Sequence, residues 1–296
     1  MKVFNRACIG FIIIGLVVAV SGFAIGGGKQ MYLDSSGIHL DSGEYQTIRR
    51  DFENFSSIDI RTHDHKLEVR RGEGHSVYAS YIRTEPEIVI EEGVLKITAS
   101  GFNGTFMNWG FNFKPQEIIV TIPYEAEMEY VAIENSDGSI SLTGVRCSDK
   151  LNVDNQNGFI ELDDIRALMI HTKNQNGGIK ARNITTETAT FSNENGRINI
   201  ENFHGMKSNI NNENGSIAVM GIDGRSVIRN QNGRVEARVN GIANYYMELS
   251  TKNGSVKVDG VRRNHFYRQG DKEFENGIEI YNHNGSISVY EQTVSE

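Results

Sequence analysis

The sequence predicts an all-β fold: a parallel β-helix, or β-solenoid, of about nineteen residues per coil, preceded by one N-terminal transmembrane helix. Three observations predict it. Asn-Gly or Asp-Gly pairs return at a nearly constant step, apolar and polar residues alternate on both sides of each pair, and a long uncharged apolar run lies near the start of the chain. Composition agrees, because 31 Gly, 3 Pro and 38% apolar residues suit a turn-rich β protein better than a helical bundle or a disordered chain.

The N-terminal segment has the length and charge pattern of a membrane anchor. Residues 7–28 form a run of 22 residues without a charged side chain. At about 1.5 Å per residue, a helix of this length crosses the roughly 30 Å hydrocarbon core. Lys2 and Arg6 precede the run, so the positive-inside rule places the N-terminus in the cytoplasm and the rest of the chain outside. We predict a single-pass cell-membrane anchor at 1–28 and a tether at 29–47. The alternative is a signal peptide, cleaved after small residues such as Ala24, which would leave a secreted protein.

The glycine of each Asn-Gly or Asp-Gly pair measures the repeat. Successive glycines are separated by 20, 19, 19, 19, 18, 21 and 31 residues. A period held over so many units indicates a repeat architecture, in which one unit cannot bury its own apolar face and neighbouring units must stack. The glycines are Gly138, Gly158, Gly177, Gly196, Gly215, Gly233, Gly254 and Gly285.

Apolar residues stand at fixed distances from each glycine, with the period of two that is typical of strands. Five residues before it stand Ile133, Val153, Thr172, Phe191, Ile210, Ile228, Leu249 and Ile280. Two residues after it stand Ile140, Ile160, Ile179, Ile198, Ile217, Val235, Val256 and Ile287. Four residues after it stand Leu142, Leu162, Ala181, Ile200, Val219, Ala237, Val258 and Val289. Seven residues after it stand Val145, Ile165, Ile184, Phe203, Ile222 and Val261. Both strands of a unit therefore face one enclosed interior, which a row of antiparallel hairpins would not require.

We therefore predict that successive units stack as parallel coils about 4.8 Å apart, with the right-handed winding that parallel crossovers prefer. The repeat solenoid is expected at 129–290, in about eight coils. An irregular β segment at 48–128 is expected to cap it, and 291–296 forms a tail. Pro86, Pro115 and Pro123 all precede the first unit, as expected if central strands cannot spare a backbone N–H.

Two columns of asparagine follow from the stacking. Asn and Gly both tolerate the backbone conformations of a sharp bend. We predict that each column bonds its amides from coil to coil, as in cross-β stacks, and that this ladder is structural. Calcium binding is disfavoured because neutral amides make a poor cage without carboxylates. The column three residues before the glycine holds Asn135, Asn155, Asn174, Asn193, Asn212, Asn230 and Asn282, and the column directly before it holds Asn157, Asn176, Asn195, Asn214 and Asn232.

Residues 48–290 resemble a known family. After the anchor come "FSSIDIRTHDHKLEVRRGEG", then "PQEIIVTIPYEAEMEYVAIENSDGSISLTGV", and then the run of coils. This order resembles the bacterial cell-envelope domain family of unknown function labelled "putative adhesin". The resemblance implies a membrane-anchored β-solenoid outside the cell, with some relatives linked to envelope stress, and it supplies no catalytic residues. The regular Asn-rich turns and the last insertion depart from the family's pattern.

Two breaks in the pattern are candidate binding sites. The segment "GFNGTFMNWGFNF" holds Phe106, Trp109 and Phe111, which either grip a glycan or membrane or plug the open end of the solenoid. The last step of 31 residues contains an insertion with Arg262, Arg263, Phe266 and Tyr267. Insertions in repeats map to loops that often bind partners, so this basic, aromatic loop either meets an anionic envelope polymer or is simply solvated.

A weak metal candidate lies at His63 and His65 in the run H-D-H. On a strand the two imidazoles would share a face and could ligate zinc or copper. No third ligand is evident, and a polar turn between strands explains the run equally well. We expect neither a metal site nor a cofactor.

No catalytic constellation stands out. The sequence contains no G-x-S-x-G, H-E-x-x-H or phosphate-loop motif. Outward carboxylates such as Glu161, Asp163 and Asp164, with Arg182 one coil later, are typical of a solvated strand face. We therefore predict a protein that is not an enzyme, with a glycan-active β-helix lyase or hydrolase as an alternative.

The predicted function is that of a non-catalytic, membrane-anchored scaffold or interaction protein outside the cytoplasm, serving adhesion or envelope-stress sensing. Its expected partners are the membrane and an envelope protein or polysaccharide. Nucleic acid is not expected, because the net charge is −8. Self-assembly into end-to-end stacks is the other alternative, since an open solenoid end is an unpaired sheet edge.

Overall fold

The computed structural model describes Gly15 and residues 30–34, 37–41, 45–82, 84–100, 105–107 and 116–292, with only the backbone described at 30–34, 37–41 and 105–107. The strands before the repeat are β1 (Gln30–Asp34), β2 (Gly37–Asp41), β3 (Gln46–Phe52), β4 (Ser57–Thr62), β5 (Lys66–Gly72), β6 (His75–Tyr81), β7 (Glu87–Glu91), β8 (Val94–Ala99), β9 (Thr105–Met107) and β10 (Glu117–Pro123). The strands of the repeat are β11 (Met128–Asp137), β12 (Ile140–Thr143), β13 (Cys147–Asn214), β14 (Ile217–Ile222), β15 (Arg225–Asn232), β16 (Val235–Val239), β17 (Tyr246–Asn253), β18 (Val256–Val258), β19 (Val261–Arg263), β20 (Phe266–Gln269), β21 (Gly277–Asn284) and β22 (Ile287–Glu291). A 3-10 turn covers Ile242–Asn244.

The repeat forms a β-solenoid, as the sequence predicts. β11 pairs in parallel with the start of β13, and β14 pairs in parallel with its later part, so the partner of Ile198 is Ile217, 19 residues further on. The 68 residues of β13 are assigned as one strand because the chain stays paired through the corners of consecutive coils. We call the sheet that precedes each Asn-Gly corner face A and the sheet that follows it face B.

The segment at 48–128 is more regular than predicted, because it contributes two coils of its own. β4 pairs in parallel with β11 and β5 with β12, so this pair of strands forms the next coil of the stack. β8 then pairs in parallel with β4 and β10 with β5, which adds another coil further out. The aromatic sequence lies between β8 and β10, and most of it falls outside the described residues.

At the other end, the last coil in the sequence is not the last coil in space. β15 and β17 both pair in parallel with β21, and β16 and β18 both pair in parallel with β22. The final segment of the chain is therefore inserted between the two coils that precede it. The expectation that units stack in sequence order is wrong at this point. We number the coils in spatial order: coil 1 (β8, β10), coil 2 (β4, β5), coil 3 (β11, β12), coils 4–7 (corners at Gly158, Gly177, Gly196 and Gly215), coil 8 (β15, β16), coil 9 (β21, β22) and coil 10 (β17, β18).

Antiparallel strands cover both ends of the stack. At the end of coil 1, β7 pairs with β8, β6 pairs with β10, and β3 pairs with β6. At the end of coil 10, β20 pairs with β17 and β19 pairs with β18. The outermost edges carry charged residues, which is a common protection against edge-to-edge association. Arg49 and Arg50 lie on β3, where they pair with Asp51 and Glu85 over 3.3 Å and 2.7 Å, and Arg262 and Arg263 lie on β19.

The core is a continuous column of aliphatic residues inside the coils. The residues five before and two or four after each corner glycine are all buried, as the repeat arithmetic predicts. The column seven after the glycine is also buried from Val145 to Ile222, but Val261 is 52% exposed. It departs from the pattern because the chain reverses after β18 and Val261 begins the cap strand β19 instead of a third side of the coil.

Other predictions fall largely outside the described residues. The predicted anchor at 1–28 lies outside them except for Gly15, and no helix in the described part of the chain is long and apolar enough to cross a membrane. The predicted tether contains β1 and β2, which form a separate three-stranded sheet with β9. In that sheet Phe106 pairs with Tyr32 across the backbone. Trp109 and Phe111 lie outside the described residues.

Candidate functional site: a polar groove along face A

In coils 4–10 each corner depends on a glycine that stacks directly on the glycine of the neighbouring coil. The corner glycines have φ between 121° and 140° in Gly138, Gly158, Gly177, Gly196, Gly215, Gly233 and Gly285. A Cβ built on Gly196 would lie 1.6 Å from the carbonyl oxygen of Gly177. The corner column therefore admits only glycine, both for its φ and for the close approach of the neighbouring coil.

The inner asparagine column does not form the amide-to-amide ladder that the sequence predicts. Its side chains are buried, and the Nδ2 groups of Asn155, Asn174, Asn212, Asn230 and Asn282 donate to the backbone carbonyl of a corner glycine one coil away, whereas that of Asn135 donates to the carbonyl of His65. Asn155 donates to Gly138 over 3.0 Å, and Asn212 donates to Gly196 over 3.1 Å. The physical reason is that the glycine carbonyl is nearer to the buried amide than the next side chain. The column therefore ties each corner to the previous coil.

The outer column does form an amide ladder. Asn176 donates to Asn157 over 2.9 Å, Asn195 to Asn176 over 3.0 Å, and Asn214 to Asn195 over 3.1 Å. The ladder continues in spatial order from Asn232 through Asn284 to Asn253. It ends at Asp137, which accepts from Asn157 over 2.8 Å. Its members are exposed, so its role is local order at the corner.

The coils have a second corner, six residues after the glycine, which was not predicted from the sequence. Asp164, Asn183 and Asn202 have φ of 53°, 54° and 55° there. Asn202 donates to Asn183 over 3.1 Å, and Asn183 donates to Asp163 over 3.0 Å. The signal was present in the sequence, because Asp, Asn or Gly fills this position in five consecutive units, and these are the residues that tolerate left-handed backbone.

A groove along face A spans all ten coils of the solenoid. Its larger part, about 700 Å³, runs from coil 5 to coil 10, and an adjoining part of about 500 Å³ runs from coil 1 to coil 6. The parts share Lys173 and Glu194. The groove is lined by the side chains four and two residues before each corner glycine, with the inner asparagines beneath them. With ten coils about 4.8 Å apart, it is about 43 Å long.

The polar groups of the groove are mostly free of partners within the protein. Among the described residues, Lys173, Glu134, Asp154, Glu213 and Lys252 take part in no ion pair or side-chain hydrogen bond. Gln175 donates to Glu194 over 3.1 Å. The groove therefore keeps much of its hydrogen-bonding capacity for a ligand.

Face B has the opposite character. Arg182 donates to Glu161 and Asp163, both over 2.9 Å, and Arg238 pairs with Glu236 over 3.1 Å. Two of the outward carboxylates that the sequence singles out, Glu161 and Asp163, are therefore committed to a structural ion-pair network on face B, away from the groove, whereas Asp164 lies at the second corner of its coil.

An aromatic and carboxylate cluster lies at the coil 10 end of the groove. The hydroxyl of Tyr281 donates to Glu248 over 3.0 Å and to Glu279 over 2.9 Å. Glu248 also accepts from Tyr246 over 2.7 Å and from Arg268 over 2.6 Å. These hydrogen bonds, from Tyr246 first and then Arg268, lower the pKa of Glu248 to about 2. Burial, together with the hydrogen bonds to the two carboxylates, raises the pKa of Tyr281.

The insertion after coil 10 forms the cap and not a free loop. Arg262 and Arg263 lie on β19, and Phe266 and Tyr267 lie on β20. Tyr267 packs against the core, whereas Phe266 is 51% exposed. The guanidinium of Arg263 lies 5.2 Å from the centre of the Tyr267 ring, a cation–π distance. These four residues thus lie together in the cap and do not line the groove.

His63 and His65, the weak metal candidate, differ in exposure and do not share a face. They lie in the turn between β4 and β5, which occupies the corner position of coil 2. His63 is 53% exposed and lies 3.8 Å from Asp137. The His65 side chain is only 3% exposed and lies 3.3 Å from Asp64, and burial lowers its pKa while Asp64 opposes the shift. No group of three or more His, Cys, Asp or Glu in the described residues could hold a metal.

The family model described as Toastrack DUF4097 matches residues 55–290. The chain belongs to the Toastrack DUF4097 family. This match confirms the resemblance to an uncharacterised adhesin-like domain family that the sequence carries. In this Toastrack chain the groove, the asparagine columns and both caps all fall inside the matched region, apart from β3 and the end of β22.

Several solved structures are similar to this Toastrack chain. One from Bacteroides fragilis, described as a "putative adhesin", is 12% identical, with 84% of this chain and 97% of that chain covered and a TM-score of 0.48. One from Parabacteroides distasonis, described as a "putative lipid binding protein", is 15% identical, with 85% and 96% covered and a TM-score of 0.45. One from Clostridium sporogenes, described as a "putative cell adhesion protein", is 12% identical, with 84% and 100% covered and a TM-score of 0.28. Among curated proteins no match was found.

Proposed function

We propose that this Toastrack protein is a non-catalytic interaction protein of the cell envelope, held by its N-terminal segment in the membrane with the solenoid outside, and that it contacts its partner along the face A groove. The observation that carries the proposal is the contrast between the two faces. Arg182 pairs with Glu161 and Asp163 on face B, whereas most outward polar side chains of the groove have no partner among the described residues.

The anchored, outside orientation is supported by the uncharged run at 7–28 with Lys2 and Arg6 before it. The solenoid suits a scaffold role, because a continuous core and paired corners hold a long surface rigid. Adhesion and envelope-stress sensing both need such a surface.

The experiment is retention of the full chain on isolated cell envelopes. Ser192 lies in the groove and is half-buried, so Ser192→Trp should block it. Ser141 is equally half-buried but lies on face B, so Ser141→Trp is the matched control. We expect the groove variant to lose retention and the control to keep it, at equal melting temperatures. Equal retention of both variants would contradict the proposal. Protease digestion of intact cells tests the orientation: cleavage of the solenoid only after lysis would contradict it.

Self-assembly end to end is the second candidate. Both ends of the stack remain strand edges, and the charged residues on β3 and β19 are typical of edges protected against association. Sedimentation of the full chain at rising concentration distinguishes the two, since a constant protomer mass argues for the interaction protein. Product analysis after incubation with a glycan panel tests the enzyme alternative.

A further inference from the structure

The charge of the groove differs from the charge of the whole chain. Its lining carries four cationic and four anionic side chains, so it is neutral with His uncharged, whereas the chain carries −8. The larger part alone carries three cations and two anions. This single net positive charge is too small to hold a polyanion against repulsion by the remaining acidic surface, and a polycation would find no acidic track. The cations are Arg61, Lys173, Arg229 and Lys252, and the anions are Glu134, Asp154, Glu194 and Glu213.

The groove offers both donors and acceptors at a regular spacing. Its amides and hydroxyls include Gln156, Gln175, Asn211, Gln231 and Ser250, each able to donate and accept. Because each coil supplies one side chain to each of the two columns, a ligand that lies along the solenoid axis meets a new polar set about every 4.8 Å. That step is close to the length of one sugar residue in an extended glycan, whose hydroxyls also donate and accept.

An aromatic ring lies in the same lining. Tyr281 is half-buried in the larger part of the groove, and its hydroxyl is held by Glu248 and Glu279. With the hydroxyl fixed, the ring keeps one orientation. The guanidinium of Arg229 lies 5.8 Å from the centre of this ring, and the side of the ring turned away from it can pack against the apolar C–H face of a sugar ring, while the sugar's hydroxyls reach the polar side chains.

We propose that the groove binds a linear, uncharged glycan that lies along the solenoid axis, with about one sugar residue per coil. The proposal rests on the proposed function, because it names the partner class of the same surface. The larger part of the groove spans six coils, from Lys173 in coil 5 to Lys252 in coil 10. Affinity should therefore rise with chain length up to about six sugars and then level off.

The experiment is calorimetric titration of the full chain in a detergent without a sugar head group, which would otherwise compete. The probes are cellohexaose and xylohexaose, with cellobiose as the short probe, hexagalacturonate as the anionic probe and a glucosamine hexamer as the cationic one. We expect a neutral hexamer to bind at least about tenfold more tightly than its dimer, and more tightly than either charged hexamer.

Two variants locate the binding. Ser192→Trp should weaken binding of the neutral hexamer by at least about tenfold, and Ser141→Trp should leave it unchanged. The double variant Asn211→Ala and Gln231→Ala removes two hydrogen-bonding groups of about 1 kcal/mol each, which corresponds to about a tenfold or greater loss. Asn199→Ala, which removes a half-buried amide on face B, is its control. Melting temperatures verify that each variant is folded.

Two outcomes would overturn the glycan inference: neither neutral hexamer binds, or a charged hexamer binds best and in a groove-dependent way. Envelope retention separates this failure from failure of the proposed function. If retention still depends on Ser192, the groove is the contact surface but its partner is not a neutral glycan. If retention does not depend on Ser192, the proposed function fails as well.

Discussion

The hydroxyl of Tyr281 donates a hydrogen bond to Oε1 of Glu248 over 3.0 Å, and this bond joins two coils whose order in space is the reverse of their order in the sequence. Tyr281 belongs to coil 9, which the chain forms last, and Glu248 belongs to coil 10, which it forms earlier. Arg268 of the cap strand β20 also binds Glu248, over 2.6 Å. One carboxylate thus connects the inserted coil, the terminal coil and the cap.

Replacing Glu248 with Gln should destabilise the C-terminal end of the solenoid. The amide keeps the size of the carboxylate but loses its charge and one acceptor, while Tyr246, Arg268 and Tyr281 all still need a partner. Loss of hydrogen bonds to a charged group predicts a decrease of about 1–3 kcal/mol in the free energy of unfolding. The control is Glu236→Gln, whose one side-chain partner is the exposed Arg238, and which should cost less than about 1 kcal/mol. Urea unfolding measures both, and equal effects would contradict the assignment.

The carboxylate of Glu248 should also make the stability of the fold depend on pH. Its pKa is about 2 in the folded protein against an ordinary 4.5. A lowered folded pKa contributes stability that is complete above the unfolded pKa and is lost as the pH falls through the folded one. The stability difference between the native chain and Glu248→Gln should therefore be largest above pH 4.5 and shrink as the pH falls towards 2. A difference that stays constant between pH 7 and pH 2.5 would rule this out.

Truncation tests the inserted coil. A chain that ends at Asn276 lacks β21 and β22, so β15 and β17 both lose the strand that lies between them. Hydrogen exchange should then show loss of protection at Leu249 in coil 10, with protection kept at Val153 in coil 4. The control chain ends at Gln292 and keeps coil 9. Retained protection of Leu249 in the shorter chain would mean that coil 10 stacks directly on coil 8, contrary to the order described above.

The solenoid itself was predictable from the sequence because one interaction, the stacking of Asn-Gly corners, recurs at a fixed step. The order of the last coils was not, because Asp259-Gly260 is the same kind of dipeptide used differently. There both residues have positive φ, 50° and 78°, and Val258 pairs antiparallel with Val261. This is the geometry of a two-residue hairpin, whereas in a coil corner only the glycine has positive φ. The groove was also missed, because the repeat shows which side chains point outward but not which outward face is concave.

The corner glycines should tolerate no side chain. Gly196 has φ of 132°, and a Cβ there would lie 1.6 Å from the carbonyl oxygen of Gly177, so Gly196→Ala must both strain its backbone and push two coils apart. Strain of this kind alone costs about 1–3 kcal/mol, so we expect a loss of more than about 2 kcal/mol in thermal or urea unfolding. Gly74 is the control, since a Cβ there would meet nothing within 4 Å. If Gly74→Ala were as costly as Gly196→Ala, the close glycine stacking would not be the cause.

The two asparagine columns should differ in their contribution to stability, although the repeat places them side by side. Asn212 is buried and donates to the carbonyl of Gly196 over 3.1 Å, so Asn212→Ala leaves a carbonyl beside a cavity and should cost about 1–3 kcal/mol. Asn214 is exposed and donates to Asn195 over 3.1 Å, and water can replace its amide. Asn214→Ala should therefore cost less than about 0.5 kcal/mol, as is usual for surface substitutions. Urea unfolding of the two variants measures the loss in the free energy of unfolding. A larger loss for Asn214→Ala would mean that the outer ladder holds the coils together, and not the hydrogen bonds from the inner amides to the glycine carbonyls.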